Sequence, residues 1–330
     1  MSYLFIFLVV ISQIILLPVF AENEPVIRPK IGLALGGGGA RGAAHIGVLR
    51  VLEKENIPVD YLVGTSAGAF IAALYSGGVN PDELENYVLS GAIGKVYRTD
   101  FSILRAVFIY INRIVHTTFR KPFYAGLYND HRLHHFVNQA LMKNNGTIDL
   151  TIPLHIIAVD LVSGQPVVIK SGDVGLAVQA STTIPSLHEP IPINDQVLVD
   201  GGVLRNIPVE EAKKMGADIV IAIDVDSKQD NAKKEDFKTF EGIITRVISL
   251  GLQAQSLPAL EKADIVISPY VSGIGISDID SKSLIKAIKA GEDETIKMIP
   301  KIKQKIEQKT KVLNNHLSSN GKNGLPSSSL

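Results

Sequence analysis

A serine stands between two glycines at Gly64-Thr65-Ser66-Ala67-Gly68, where an apolar run ends and an alanine-rich one begins. The pattern G-x-S-x-G suits an exposed nucleophile. Its glycines remove the side chains that would block a sharp strand-to-helix turn, so the hydroxyl stands above the sheet. Gly64 and Gly68 are then the shoulders of a nucleophile elbow around Ser66. A glycine-flanked bend with an inert serine would use the same residue types, so the reading needs a base and an oxyanion site nearby.

The histidines make poor bases. His45 follows a glycine-rich loop inside a helix, and His131, His134 and His135 share one helical stretch in which the adjacent His134 and His135 are expected on different faces. His116 and His188 are isolated, and only His316, in a polar C-terminal stretch, would supply the Ser, Asp, His order of ordinary α/β-hydrolases. Asp200 in "VLVDGGVLRNIP" is the better candidate: it ends a β-branched run, and two glycines after it let another loop approach the carboxylate. A desolvated aspartate accepting a hydrogen bond from serine can act as general base directly. D-G pairs also cap ordinary turns, and the spacing alone does not separate the two.

The second glycine corner, Gly37-Gly38-Gly39-Ala40-Arg41-Gly42, also joins a strand to a helix. One reading is an oxyanion hole of bare N–H groups, with Arg41 adding positive charge or ordering the loop. Gly37, Gly39 and Gly42 also fit G-x-G-x-x-G, with Asp60 further along, which is formally a dinucleotide site.

In this order, G-G-G-x-R-G at 37–42, G-x-S-x-G at 64–68 and D-G-G at 200–202 resemble the patatin-like phospholipases, as do "ASTTIP" at 180–185 and "NIP" at 206–208. The resemblance is firm over about residues 30–225 and looser to about 295. It implies a serine-aspartate dyad without histidine, calcium-independent hydrolysis of phospholipid or lysophospholipid acyl esters, and no cofactor or metal. Carried over by position, Ser66 is the nucleophile, Asp200 the base, and Gly37, Gly38 and Gly39, assisted by Arg41, the oxyanion loop. An acyltransferase on the same site is the alternative. A nucleotide-binding protein leaves Ser66 and Asp200 unexplained, and intact motifs speak against a catalytically silent one.

Elements that would position these residues are legible as short apolar runs at Ile31–Leu35, Tyr61–Val63, Leu154–Val159, Val197–Val199, Ile219–Ile223 and Ile265–Ile267, alternating with helical stretches. Near-continuous apolar strands between helices predict an α/β fold, a mostly parallel central sheet with helices on both faces. Its strand carboxyl ends would bring both glycine corners to one crevice.

Composition narrows the classes. The 330 residues carry 33 basic and 33 acidic side chains, so no charge excess draws the chain to nucleic acid. Without cysteine, a thiol nucleophile, a disulfide framework and thiolate metal sites are excluded. The apolar Leu4–Phe20 with "VFA" before Glu22 predicts a signal peptide over 1–21 and an exported protein, an uncleaved membrane anchor being the alternative. One acyl-hydrolase domain is expected over 28–303 and a disordered polar tail over 304–330. Between 97 and 128, arginines at 98, 105, 113 and 120 among aliphatic and aromatic residues predict either a basic amphipathic lid resting on a membrane surface or a helix packed on the core. "DVDSKQDN" at 224–231 begins like a calcium loop, but Lys228 and Gln229 occupy ligand and glycine positions, so a charged turn is expected. Oligomeric state is not legible.

Overall fold

The computed structural model describes residues 27–90, 131–143, 146–185, 187–226, 232, 234–238 and 240–322. The proposed signal segment and the basic stretch at 97–128 lie outside them. The chain divides into a large unit, Pro29–Lys309, and a small one made of Met1–Arg28 and Thr310–Leu330. Within the small unit, Asn314 Oδ1 accepts from the Ile27 N–H at 3.1 Å.

The strands are β1 (Ile31–Leu35), β2 (Tyr61–Thr65), β3 (Leu154–Asp160), β4 (Gln165–Ile169), β5 (Ile191–Ile193), β6 (Gln196–Asp200), β7 (Ile219–Ile223) and β8 (Ile265–Ile267). The helices are α1 (Ala44–Lys54), α2 (Ala67–Ser76), α3 (Pro81–Leu89), α4 (His131–Leu141), α5 (Val174–Thr182), α6 (Val209–Lys214), α7 (Phe240–Glu261) and α8 (Ser281–Lys322). One sheet runs in the order β5-β6-β3-β2-β1-β7-β8, with β4 also on β3.

Successive side chains along a strand point to opposite faces, and the core sorts accordingly. Ile31, Leu33 and Leu35 of β1 join Ile219, Ile221 and Ile223 of β7 in a large core with α1, α2, α3, α4 and α8. Ala34, Val220 and Ala222 turn the other way, onto Ile207, Val209 and Ala212 at α6. Every residue of β1 and of β7 is buried, which is why both read as continuous apolar runs.

The central strands β3, β2, β1, β7 and β8 are parallel, as expected. Strands β4, β5 and β6 are antiparallel, which the sequence did not reveal. Their connections are too short for a crossover: β3 turns into β4 through Gly164 (φ 67°), and β5 into β6 through Asn194 (φ 52°), in the left-handed region that glycine and asparagine tolerate.

This antiparallel corner positions the site. One edge of β3 is occupied by β4 along Ile156–Asp160. Therefore β2, paired with Leu154–Ile157, and β6, paired with Ala158–Asp160, must share the other edge end to end. Register puts Thr65 opposite Ile157 and Asp200 opposite Ala158, so β6 terminates where β2 hands over to Ser66.

The expected polar tail from 304 is corrected, since α8 continues to Lys322. Ile299 and Ile302 are buried and Ile306 packs on the large core, a helical spacing that the lysines around it obscure. Two of those lysines are paired, Lys303 with Glu55 at 2.6 Å and Lys305 with Asp264 at 3.1 Å. Residues 323–330 lie outside the described part.

Candidate active site

Ser66 joins β2 to α2 with φ 53° and ψ −124°. Such a backbone is strained for any residue with a side chain, by about 1–3 kcal/mol, and lifts the side chain clear of the turn. The glycines beside it are required by close packing. A Cβ on Gly68 would strike the Leu35 carbonyl, and one on Gly64 would lie 2.5 Å from Ala69 Cα. The Ser66 N–H donates to Ser181 Oγ at 2.9 Å, and the Ser181 hydroxyl donates to the Ile157 carbonyl at 2.6 Å. The turn is thus tied to β3, and the positive end of the α2 dipole lies directly behind Ser66.

Asp200, the last residue of β6, accepts the Ser66 hydroxyl on Oδ2 at 2.6 Å. Its Oδ1 accepts the Gly202 N–H at 2.7 Å, and its own N–H donates to the Thr183 carbonyl at 2.8 Å. Burial pushes the carboxyl up to about 6, against the opposing pull of the bonds from Ser66 and Gly202. Both oxygens are engaged, yet the group keeps a proton affinity close to neutrality.

The glycine loop packs against this pair. The Gly37 N–H is directed at the buried Asn206 side chain, donating to Oδ1 at 3.0 Å. That corrects the expectation that Gly37 supplies an oxyanion donor. Among the described residues the N–H groups of Gly38 and Gly39 meet no protein acceptor, and both residues line the pocket at Ser66. Gly39 has φ 57°, and a Cβ there would strike the Ile276 carbonyl, which accepts the Ala40 N–H at 2.8 Å. Arg41 is buried, with its guanidinium bonded to Asp226 and, through Nε, to the Ile274 carbonyl at 2.7 Å. It therefore orders the loop from behind, with its charge paired to Asp226. Asp226, the third residue of the calcium-like stretch, is held by that same pair, and 227–231 lie outside the described residues.

Two residues missed at the sequence level complete the frame. Asn206 receives bonds from Gly37 and, through its N–H, donates to Gln255 Oε1 at 3.1 Å. Gln255 on α7 also bonds the Gly202 carbonyl with its amide. One glutamine thus fastens the Asp200 turn and, through Asn206, the glycine loop. "NIP" and "ASTTIP" marked Asn206 and Ser181 only by resemblance, because a buried amide or hydroxyl has no spacing that announces its partner.

The pocket has a volume of about 270 Å³ and is lined by Ser66, Asp200, Gly38 and Gly39. Ile184, Pro185, Val203, Val247, Leu252 and Ile276 give it largely apolar walls. No histidine lines it among the described residues. His45 is pushed down to about 4 by burial, so it is neutral and donates Nε2–H to the Gly36 carbonyl at 2.8 Å. His188, also pushed down to about 4 by burial, accepts the Ile184 N–H at 3.1 Å. The rings of His134 and His135 stack at 5.1 Å, so the expectation of different faces is corrected; His134 bonds Asp173. No group of three potential metal ligands gathers among the described residues. Asp60 accepts the Ile31 N–H at 2.9 Å, at the amino ends of the strands and away from the glycine loop, where it cannot serve a nucleotide ribose there.

Residues 33–213 match the model of the patatin-like phospholipase family. Lysophospholipase nte1 of Aspergillus fumigatus is 33% identical over 206 residues, covering 61% of this chain and 12% of the relative. Patatin-like phospholipase domain-containing protein 6 of Mus musculus is 32% identical over 202 residues, covering 61% and 14%. The chain thus spans a small fraction, 12–14%, of the curated relatives it matches. Among solved structures, VipD from Legionella pneumophila superposes with a TM-score of 0.49 at 14% identity, over 83% of this chain and 67% of that one. With the matched segment running from β1 through the glycine loop, Ser66 and Asp200 into α6, the chain belongs to the patatin-like phospholipase family.

Proposed function

We propose that this chain is a serine lipid acyl hydrolase in which Ser66 and Asp200 form a catalytic dyad. The observation that carries the proposal is the 2.6 Å hydrogen bond from Ser66 Oγ to a buried carboxylate that lines a largely apolar pocket. Asp200 Oδ2 takes the hydroxyl proton as Oγ attacks the ester carbonyl carbon. The carbonyl oxygen becomes an oxyanion facing the N–H groups of Gly38 and Gly39, a stabilisation worth ~10²–10³ in rate per donor. Collapse breaks the bond to the alcohol, which leaves with the proton held by Asp200. Water then attacks the acyl-serine, giving its proton to Asp200, and the fatty acid departs as Ser66 recovers its hydrogen.

The apolar walls favour an acyl chain over a polar acyl group. The lysophospholipase names of the relatives make a lysophospholipid the first substrate to try. The test is fluorophosphonate labelling together with release of fatty acid from lysophosphatidylcholine, for the wild type and Ser66→Ala. Label mapped to Ser66, with both activities lost in the variant, supports the dyad. A folded wild type that neither labels nor hydrolyses refutes it. Fatty acid appearing on an added alcohol, instead of free, would assign the transferase partition.

A further inference from the structure

Helix α7 carries an apolar stripe on its solvent side. Ile243, Val247, Leu250, Ala254 and Leu257 follow one another by alternating steps of four and three, which places them on one helical face. That face is in solvent: Ile243 is 46% exposed, Val247 60%, Leu250 48% and Leu257 62%. The buried side carries Ser249 and Ser256 beside Leu252, with the Ser256 hydroxyl bonded to the Leu252 carbonyl at 2.7 Å. No residue from Val247 to Leu260 is ionisable. A helix whose only partner were water would reverse this arrangement.

The apolar face is continuous with the pocket. Val247 both lines the cavity and stands in solvent, and so does Val203, which with Leu204 adds further exposed apolar surface. We propose that the outer face of α7 docks on a lipid–water interface, so that an acyl chain passes from the lipid into the pocket without crossing water. The proposal rests on the acyl-hydrolase reading above. A protein covering the same face would lie over Val203 and Val247 at the rim and obstruct the mouth. A lipid surface covers it while supplying what the pocket takes, and no charge between Val247 and Leu260 has to be dehydrated.

Because the chain contains no tryptophan, one indole reports locally. Leu250→Trp is placed in a Ser66→Ala background of the full chain and mixed with phosphatidylcholine vesicles carrying brominated acyl chains. Ile296→Trp on α8, at a position 57% exposed, serves as control. The expected result is about twofold or greater quenching at position 250 and none at 296. No quenching at 250, or equal quenching at both, overturns the proposal. So does emission at 250 that is already shifted, in a concentration-dependent way, before lipid is added, which would assign the face to a second copy. In the active enzyme, Ile243→Gln with Leu250→Gln and Leu257→Gln, none of them lining the pocket, should leave hydrolysis of a monomeric short-chain ester within about twofold. Hydrolysis of vesicular lipid should fall about tenfold or more, and unchanged vesicular rates overturn the proposal. If the unaltered enzyme cleaves neither substrate, the hydrolase reading fails while the quenching result still decides where the chain docks.

Discussion

Replacing Asp200 by asparagine should cut activity by orders of magnitude and at the same time stabilise the fold at neutral pH. Burial raises the carboxyl from 3.8 to about 6, so between these values the folded chain holds a proton that the unfolded chain has released. Stability is therefore fully present below the unfolded value and is lost as pH rises through the folded one. Above both, keeping the carboxylate ionised in its buried position costs about 3 kcal/mol. Asparagine carries no such charge and can still accept the Gly202 N–H. Its stability advantage over the wild type should grow by about 2 kcal/mol between about pH 4.5 and about pH 8. Denaturant unfolding of both proteins across that range measures the difference, in which the remaining titrating groups cancel. Ester hydrolysis by Asp200→Asn should drop by about 10²–10⁴, the usual contribution of a general base. A stability difference that stays flat with pH would refute the argument, because the carboxyl would then be ordinary and the fold would not hold it ready as a base.

The wild-type rate should rise with pH through about 6, where Asp200 ionises, and then level off. Glutamine at His45 or His188 should leave that midpoint in place; a midpoint that moves with either would return an imidazole to the mechanism. Asn206→Ala strands the buried Gly37 N–H and frees the loop, so it should lower kcat by about tenfold or more with little change in KM, and reduce stability by about 1–3 kcal/mol. Kinetics and unfolding on one preparation check both effects. Gly68→Ala should not yield a folded active protein, because its Cβ meets the Leu35 carbonyl. Gly251→Ala, on α7 with nothing within 4 Å of the added carbon, should stabilise by about 1 kcal/mol; thermal melts separate the two.

What the sequence revealed and what it hid divide along physical lines. β1 and β7 were legible to the residue because both faces are covered, leaving unbroken apolar runs, and β8 as a short apolar run at the end of the sheet. β4 and β5 were not, since neither is a run of buried residues. Ser66 and Asp200 were legible because each sits at a glycine-marked turn. Asn206 and Gln255 were not, as their bonds join segments 169 and 53 residues away and are set by tertiary approach alone. The lysine-rich end of α8 misled for the opposite reason: its composition reads as solvated while Ile302 and Ile306 sit on the core at helical spacing.

The antiparallel setting of β6 places the Asp200 carboxylate at Ser66, where the proposed dyad needs it and an ordinary triad would hold a histidine. Here β2 and β6 share one edge of β3, so their ends meet and the carboxylate reaches Ser66 Oγ directly at 2.6 Å. A carboxylate at its ordinary proton affinity would be a weak base for a serine hydroxyl. Its position against the Ile157–Ala158 segment, with Gly201 packed against the Ile157 carbonyl, keeps water out and supplies the upward shift. End-to-end strand pairing thus provides both the contact and the desolvation, and loosening the Gly202–Gln255 fastening should weaken the two together.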